Sequence, residues 1–594
     1  MGFSSLSIGT SALLTARYGL DVTGQNLGNV DTAGYSRQRV NQVASIGRSS
    51  TLGNAATGNG VWVASIKRVS NEHMEKQLRQ ATTQDEYYGT LNNAYSNIQS
   101  YFNELTGNAL SDSISSFWGA MNDFSGKVEN IPIRSTTLEE AKQMTARFNQ
   151  LSNQLAGYRR DVDAEVAESV TQINRLLQSV ADYNKYIVAG EYGGASGATA
   201  NDLRDQRGEF LKELYEYMDV DVVEEPNGSV IVSMHGRNLV YFDQIQELQN
   251  EKTISPDGTM VNTPVFSSDR YPIRPKNGEL AAQIEIRDQI IPSYQKEIDN
   301  LAANFIWEFN RAHSQTTGLE TYTSITSKNS PKNPWDTLDK MNWGDNVPEG
   351  TFKIENGTFN LVIHNRNSDE PTTVPIEVDL DGRLSPGGEP DMILWDPENP
   401  DASNSLINRL QEALNEAVPG VFNVTIDRDY KVSITSNSAD YAFTFGEDSS
   451  GVVAALGLNV FFTGHNAGDM GVNQDLVDNP SLLGGGLSFK KGDNTGIAAL
   501  LKVRDKKLGN LKDGTLDDYY LSTTGRLASE ANKTTNMKAL SCDVLNRMFA
   551  QRESLSGVNE DEEVSKLIMY QRSYQSAAKF ISTVDQLYET LINM

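Results

Sequence analysis

Five histidines, one cysteine and a short run of alternating acids are the residues with the most chemistry to offer, if the fold brings them together. His73, His235, His313, His364 and His465 lie far apart, with no His-x3-His pair among them. They read as surface or interface histidines, not as zinc ligands or a general base. Cys542 is the only cysteine, so neither an intramolecular disulfide nor a multi-cysteine zinc site can form. Its apolar setting (Leu540, Val544, Leu545) predicts a small buried hydrophobe. The run Glu377-Val-Asp379-Leu-Asp381-Gly382 opens like a calcium loop, but position twelve is Gly388, with Glu389 one residue late. That position must supply a bidentate carboxylate, so an Asp-Gly hairpin turn is the better reading. The glycines from Gly190 to Gly197 predict a flexible loop, and no Gly-Lys-Ser/Thr follows to cradle a phosphate. No Gly-x-Ser-x-Gly elbow is present either. The expectation is a chain that is not an enzyme, with no catalytic, cofactor-binding or metal site.

Composition narrows the partners. The chain has 594 residues, 38% of them hydrophobic, and 78 acidic side chains against 51 basic ones give a formal charge of −27. Length suggests roughly three to five domains' worth of material. An acidic chain is a poor phosphate-backbone binder, so nucleic acid is not an expected partner. Membrane insertion is not expected either, because no apolar run approaches the roughly 18 residues of a spanning helix. The first ten residues lack a basic stretch followed by an apolar one, which argues against a cleaved signal peptide. Leu6 stands where a myristoylation motif wants Ser or Thr.

The elements that must position any site are most patterned at the two ends. Leu6, Leu13, Leu20 and Leu27 recur at intervals of seven, among Ser, Thr, Gly, Ala and Asn. Such a repeat places one apolar stripe on a helix and suits a coiled-coil seam. Gly9, Gly19, Gly24 and Gly28 weaken that helix in isolation by about 1 kcal/mol each relative to Ala. Near the other end, Leu567, Tyr570, Tyr574, Ala577, Ile581, Val584, Tyr588 and Leu591 alternate spacings of three and four. Glu560 to Glu563 precede them, where acids suit the positive end of a helix dipole. The two helices either pack onto one globular core, or pair with each other and with neighbouring subunits and order on assembly.

Between the ends, residues 72 to 183 have helical periodicity (Leu91, Tyr95, Ile98, Phe102; Val170, Ile173, Leu177, Val180). The period changes near Asp219: Val220 and Val222, then Pro226-Asn227-Gly228-Ser229, then Val230 and Val232, predict a hairpin with an Asn-Gly turn. Helix returns at about Gly278, with Pro292 marking a boundary or kink. From about 320 to 464 the chain alternates as strands (Phe359, Leu361, Ile363; Val374, Ile376, Val378, Leu380), with one helix at Ser405 to Val418 and strands again at Phe422 to Ile426 and Val432 to Ile434.

Two motifs identify a family. The segment Asn26-Leu-Gly-Asn29-Val-Asp-Thr32-Ala-Gly34-Tyr35-Ser-Arg37 resembles the N-terminal motif of the flagellar rod, hook and hook-associated axial proteins. It departs from that motif at Ala33, where Pro is usual, and at Gly28, where Ala or Ser is common. Ser556-Gly557-Val558-Asn559, followed by Leu567-Ile-Met-Tyr570-Gln-Arg-Ser-Tyr574 and by Ile581 to Asp585, resembles the C-terminal motif of the same group. Asn201 to Arg207, Asn277 to Leu280, Arg287 to Pro292, Ala454 to Gly464, Gly492 to Asn494 and Asp518 to Tyr520 are similar to its hook-associated members, in order.

The resemblance implies a structural subunit. It would leave the cell through the flagellar type III apparatus, meet an export chaperone at its C-terminal helix, and form a homo-oligomeric ring on the distal hook. Hook protein would lie below that ring, with a second junction protein and the filament above. The expected fold is mainly α, with inserted β-rich and α+β domains. Residues 1–40 and 555–594 form a coiled-coil-like inner domain. Residues 41–218, 276–324 and 465–554 build a discontinuous helical bundle; 219–275 form a small β-hairpin subdomain and 325–464 an outer α+β domain. Burying each Leu or Ile of the terminal stripes would contribute about 1.5–3 kcal/mol once neighbours are present. The alternatives are another axial component such as the hook protein, or a secreted adhesin or hydrolase whose outer domain binds a ligand.

Overall fold

The leucine repeat does form a helix, Gly2–Gly28, and the repeat near the other end forms Glu560–Ile592. These elements come from a computed structural model that describes residues 2–32, 34–45, 58, 60–102, 109–192, 200–344, 347–348, 350–368, 370–380 and 391–593. The fold is mainly helical, with small antiparallel sheets. The chain divides into two units: Met1–Tyr95, Arg160–Asp288 and Ala531–Met594 in the first, Ser96–Arg159 and Gln289–Glu530 in the second.

The first unit holds both terminal helices, a two-stranded sheet (Gln38–Ala44 with Val61–Arg68), the helix Asn201–Tyr217 and a four-stranded antiparallel sheet. The predicted Asn-Gly turn joins Asp221–Glu224 to Val230–Met234, and Gly228 takes the left-handed φ of +86° that the turn needs. Val170, Ile173, Leu177 and Val180 bury their helix face against Leu214, Met218, Val232 and Val240. Two asparagines on that helix act as substitutes for a neighbouring strand. Asn174 accepts from Leu248 N (2.9 Å) and donates to Leu248 O (2.7 Å). Asn184 accepts from Val230 N and donates to Val230 O and Phe242 O, each at 2.9 Å. Main-chain groups facing the helix thereby keep partners despite being buried.

The turn expected around Pro292 is more specific than a kink. Ile286–Ile290 is a π-helical segment, after which the helix runs on as Ile291–His313 with proline in its first turn. Arg287, in the π segment, is buried and reaches Asp163 Oδ1 at 2.8 Å. The glycine loop begins later than expected: Gly190 is still helical in Ile131–Tyr192, and 193–199 lie outside the described residues.

In the second unit an aromatic core of Phe117, Trp118, Phe305, Phe309, Phe461 and Phe462 forms around the run Ala454 to Gly464. Asn310 accepts from Phe461 N and Phe462 N and donates to Phe462 O, holding that run by its backbone. Sheets Thr372–Val378/Gly357–Asn365/Tyr441–Asp448 and Phe422–Ile426/Val432–Ser436/Ser324–Thr326 flank the helix Leu406–Ala417 in sequence.

Two expectations need correction. His313 is not a surface histidine: it is fully buried, its Nδ1 2.9 Å from Asn459 O and its Nε2 accepting from Gly484 N. Burial holds its pKa down, at about 4. Cys542 is only partly buried, because Leu540 and Val544 beside it point to solvent. The acidic run of the calcium-loop reading is described as far as Leu380, and its Gly382, Gly388 and Glu389 lie outside the described residues. Among those described, no cluster of His, Cys, Asp or Glu could hold a metal.

A candidate assembly site at the paired chain ends

The terminal helices pack against each other along a seam of small residues, not along the leucine stripe. Ala16, Gly19, Val22 and Asn26 of the N-terminal helix are buried, opposite Ala577 and Val584. A Cβ on Gly9 would lie 2.7 Å from Ile581 Cγ1, and one on Gly19 2.5 Å from the Tyr570 ring. The glycines that weaken the helix in isolation are what let the two backbones approach, while a Cβ on Gly24 would meet open space.

Leu6, Leu13, Leu20 and Leu27 lie beside this seam and are each only half-buried. Of the C-terminal set, Ala577 and Val584 are buried, and Leu567, Tyr570, Ile581 and Tyr588 are half-buried. Tyr574 is exposed, and the side chain of Leu591 lies outside the described residues. The expected packing residues therefore share one region, but the buried line between the helices runs through residues that periodicity did not select. A second apolar row, Met569, Phe580 and Leu587, is exposed on the C-terminal helix. So is the cross-strand pair Val43 and Trp62 on the two-stranded sheet.

The family motifs close this seam at one end. Asn26, 1% exposed, is the hub. Its Oδ1 accepts from Tyr35 OH (2.8 Å) and Gln38 N (2.9 Å). Its Nδ2 donates to Gln38 O and to Glu563 Oε2, both at 2.9 Å. All four hydrogen-bonding positions of the amide are thereby used. Asn29 and Thr32 shape the turn between: Thr32 N donates to Asn29 O, and Tyr35 N to Thr32 O. Gly34 has φ +79°, a conformation that favours glycine, and a Cβ there would displace the Glu209 carboxylate. Ala33 lies outside the described residues.

The C-terminal motif meets this turn directly. Ser556 O accepts from Arg37 N at 3.0 Å. The next residues, Gly557 and Val558, lead to Asn559, whose side chain caps the last helix by accepting from Glu562 N at 3.0 Å. A Cβ on Gly557 would run into Glu553. Hydrogen bonds from Lys566 and from Arg37 (2.7 Å) hold Glu562 below the usual carboxylate range. Lys566 also bonds the buried Glu563 at 2.9 Å.

The helix Asn201–Tyr217 supplies the third side. Asn201 donates to Gln38 Oε1 and Ile66 O, and Asp202 accepts from Gln25 and Gln38. Asp205 pairs with Arg68 at 2.9 Å. Burial nevertheless pushes Asp205 up to about 6, against the opposing pull of Arg68 and Ser36 N. Burial, with Asp202 and Asp205 nearby, also raises the Tyr35 phenol, which therefore stays a donor to Asn26. The carboxylates of Asp202, Asp205, Glu562 and Glu563 are each matched to a cation, an amide or a helix end. The network clamps three distant stretches of chain.

Comparison with known proteins points to flagellar axial proteins. Residues 95–324 match the flagellar hook-associated protein FlgK helical domain, and residues 551–594 match the flagellar basal body rod FlgEFG protein C-terminal family. The "Flagellar hook-associated protein 1" of Salmonella typhimurium aligns at 24% identity over 98% of both chains. The protein of that name from Bacillus subtilis aligns at 22% over 100% of this chain and 98% of its own.

The chain is similar to the flagellar hook-associated proteins along nearly its whole length.

That similarity supports a structural role in the flagellar axis and a place in the flagellum. A solved structure, that of the flagellar hook junction protein FlgK from Burkholderia pseudomallei, covers 81% of this chain at 13% identity, with a TM-score of 0.48. Among the described residues no helix is long and apolar enough to cross a membrane.

Proposed function

We propose that this chain is the subunit of a ring joining hook to filament, and that its paired terminal helices are the part that builds the ring. The observation that carries this reading is the leucine stripe. Leu6, Leu13, Leu20 and Leu27 remain half-exposed after the two helices have closed on their own seam, with Met569, Phe580 and Leu587 exposed on the partner helix. Exposed apolar rows on otherwise polar helices mark surfaces to be covered. Neighbouring copies cover them in a coiled-coil-like inner tube made of residues 1–40 and 555–594.

In this reading 41–218, 276–324 and 465–554 form a helical wall, while 219–275 and 325–464 project outward. The subunit passes through the flagellar type III apparatus, with a chaperone shielding the C-terminal helix. It then seats on hook protein and presents the surface on which the second junction protein and filament build. The relatives' shared name, hook-associated protein 1, supports this place in the order.

Deleting the gene tests it. Cells should make hooks, fail to retain filaments, shed filament subunits into the medium and stop swimming. Retained filaments and normal swimming would remove the junction role; loss of the hook itself would favour the hook-protein reading.

A further inference from the structure

Three hairpins in this chain use the same turn, and one of them breaks its rule. In residues 225–229 and 255–259 the first residue donates its N–H to the fifth, and the fourth donates back to the first (Glu225 N to Ser229 O, Gly228 N to Glu225 O; Ser255 N to Thr259 O, Gly258 N to Ser255 O). The fourth position is left-handed, and in both it is glycine: Gly228 at φ +86° and Gly258 at +83°. Residues 427–431 repeat the pattern bond for bond, Asp427 N to Lys431 O and Tyr430 N to Asp427 O. Here the left-handed position, φ +60°, is Tyr430. A bulky side chain is strained there where glycine is not. Strain of this kind persists where the side chain is needed.

The Tyr430 ring stands at 86° to the Trp335 ring, centroids 6.3 Å apart. Trp335 is 45% exposed, and is the only large apolar side chain exposed among the described residues from 320 to 480. The two rings form an open right-angled corner. Polar groups neighbour both rings in sequence: Asn333 and Asp336, bonded to each other at 3.2 Å on either side of Trp335, and the exposed Arg428 and Asp429 just before Tyr430. The corner is far smaller than the about 800 Å² per partner that a stable protein interface buries, which argues against a second copy as its occupant. A flat ligand with one apolar face and a hydroxylated edge fits it, since aromatic faces take the apolar side while amide, carboxylate and guanidinium groups bond the edge.

We infer that the Trp335–Tyr430 corner is a carbohydrate-binding site that takes one pyranose ring on the indole face. It is independent of the ring-building role, and would let the outer part of the chain hold a glycan.

The test uses the full chain against an immobilised panel of mono- and disaccharides, with tryptophan fluorescence titration in solution. Saturable binding to at least one pyranose is expected, weakened at least tenfold by Trp335→Ala and by Tyr430→Gly. Tyr430→Gly should unfold at the wild-type temperature or above it, because glycine relieves the strained turn. Absence of binding to every sugar, or binding by Trp335→Ala within twofold of wild type, overturns the site. A lowered unfolding temperature for Tyr430→Gly also overturns it, since the tyrosine would then be retained for packing. So does Trp335-dependent self-association in sedimentation, which would make a second copy the occupant.

Discussion

Asn26 Nδ2 lies 2.9 Å from Glu563 Oε2, a bond that joins residues 537 positions apart and ties the beginning of the fold to its last helix. Asn26→Ala removes four hydrogen bonds at once and leaves a buried carboxylate supported on one side only. The expected loss is about 2–4 kcal/mol from the terminal pair. Hydrogen exchange should show both terminal helices opening faster, with protection around the Phe117/Phe309 core unchanged.

Glycines in the N-terminal helix should respond with opposite signs. Gly19→Ala gains about 1 kcal/mol of helix propensity but drives a methyl into Tyr570, for a net loss of about 1–2 kcal/mol. Gly24→Ala meets nothing and should stabilise by about 0.5–1 kcal/mol. Thermal unfolding followed by circular dichroism separates the two, and equal responses would count against the seam.

Leu13 lies half-buried beside the seam, so Leu13→Asp should leave the monomer folded and yet prevent incorporation into flagella. Normal incorporation of that variant would take the leucine stripe out of the assembly surface. In the free wild-type subunit the terminal pair is expected to be the least protected part of the chain, becoming protected on assembly. Hydrogen exchange before and after polymerisation reads this directly.

Two buried groups in the second unit give opposed pH dependences. His313, held down at about 4 by burial, stabilises the fold fully above its ordinary value near 6.5, and this is lost as pH falls through 4. Asp299, pushed up to about 6 by burial, contributes stability that is full below its ordinary value near 3.8 and lost as pH rises through 6. Between pH 6 and 4 the two partly cancel. Asp299→Asn should therefore make stability fall more steeply with acid over that window, and His313→Gln should make it fall less. Denaturant midpoints measured every half pH unit check both slopes.

Much of this was legible in the sequence, because period and turn chemistry are local. The sevenfold leucines gave the first helix, Glu560 to Glu563 gave the start of the last, and Asn227-Gly228 gave a hairpin. The motif residues Asn26, Asn29, Thr32, Gly34 and Tyr35 were found by resemblance; of these Asn26 reaches Glu563, and the adjoining Arg37 bonds Ser556 O. What periodicity could not show is which face of a stripe is covered. Leucine advertises a helix face, whereas the seam is lined by Gly9, Ala16 and Gly19, whose value lies in what they lack. His313 was misplaced for a similar reason. Its partners Asn459 and Gly484 are 146 and 171 residues away, and no spacing rule reaches that far. Asp163, which meets Arg287 across 124 residues, was equally invisible.

The distance along the chain between Asn26 and Glu563 also bears on timing. Closing a loop of that length costs about 5–6 kcal/mol in chain entropy, which local contacts must offset before the bond can hold. The clamp therefore forms late, after the intervening structure has brought the helices near each other. A polypeptide emerging from a channel one end first would present its leucine stripe in its final form only once residues beyond 563 were free. A chain cut short of that point would lack the clamp, so the first helix depends for its buried hydrogen bonds on the last part of the chain to be made.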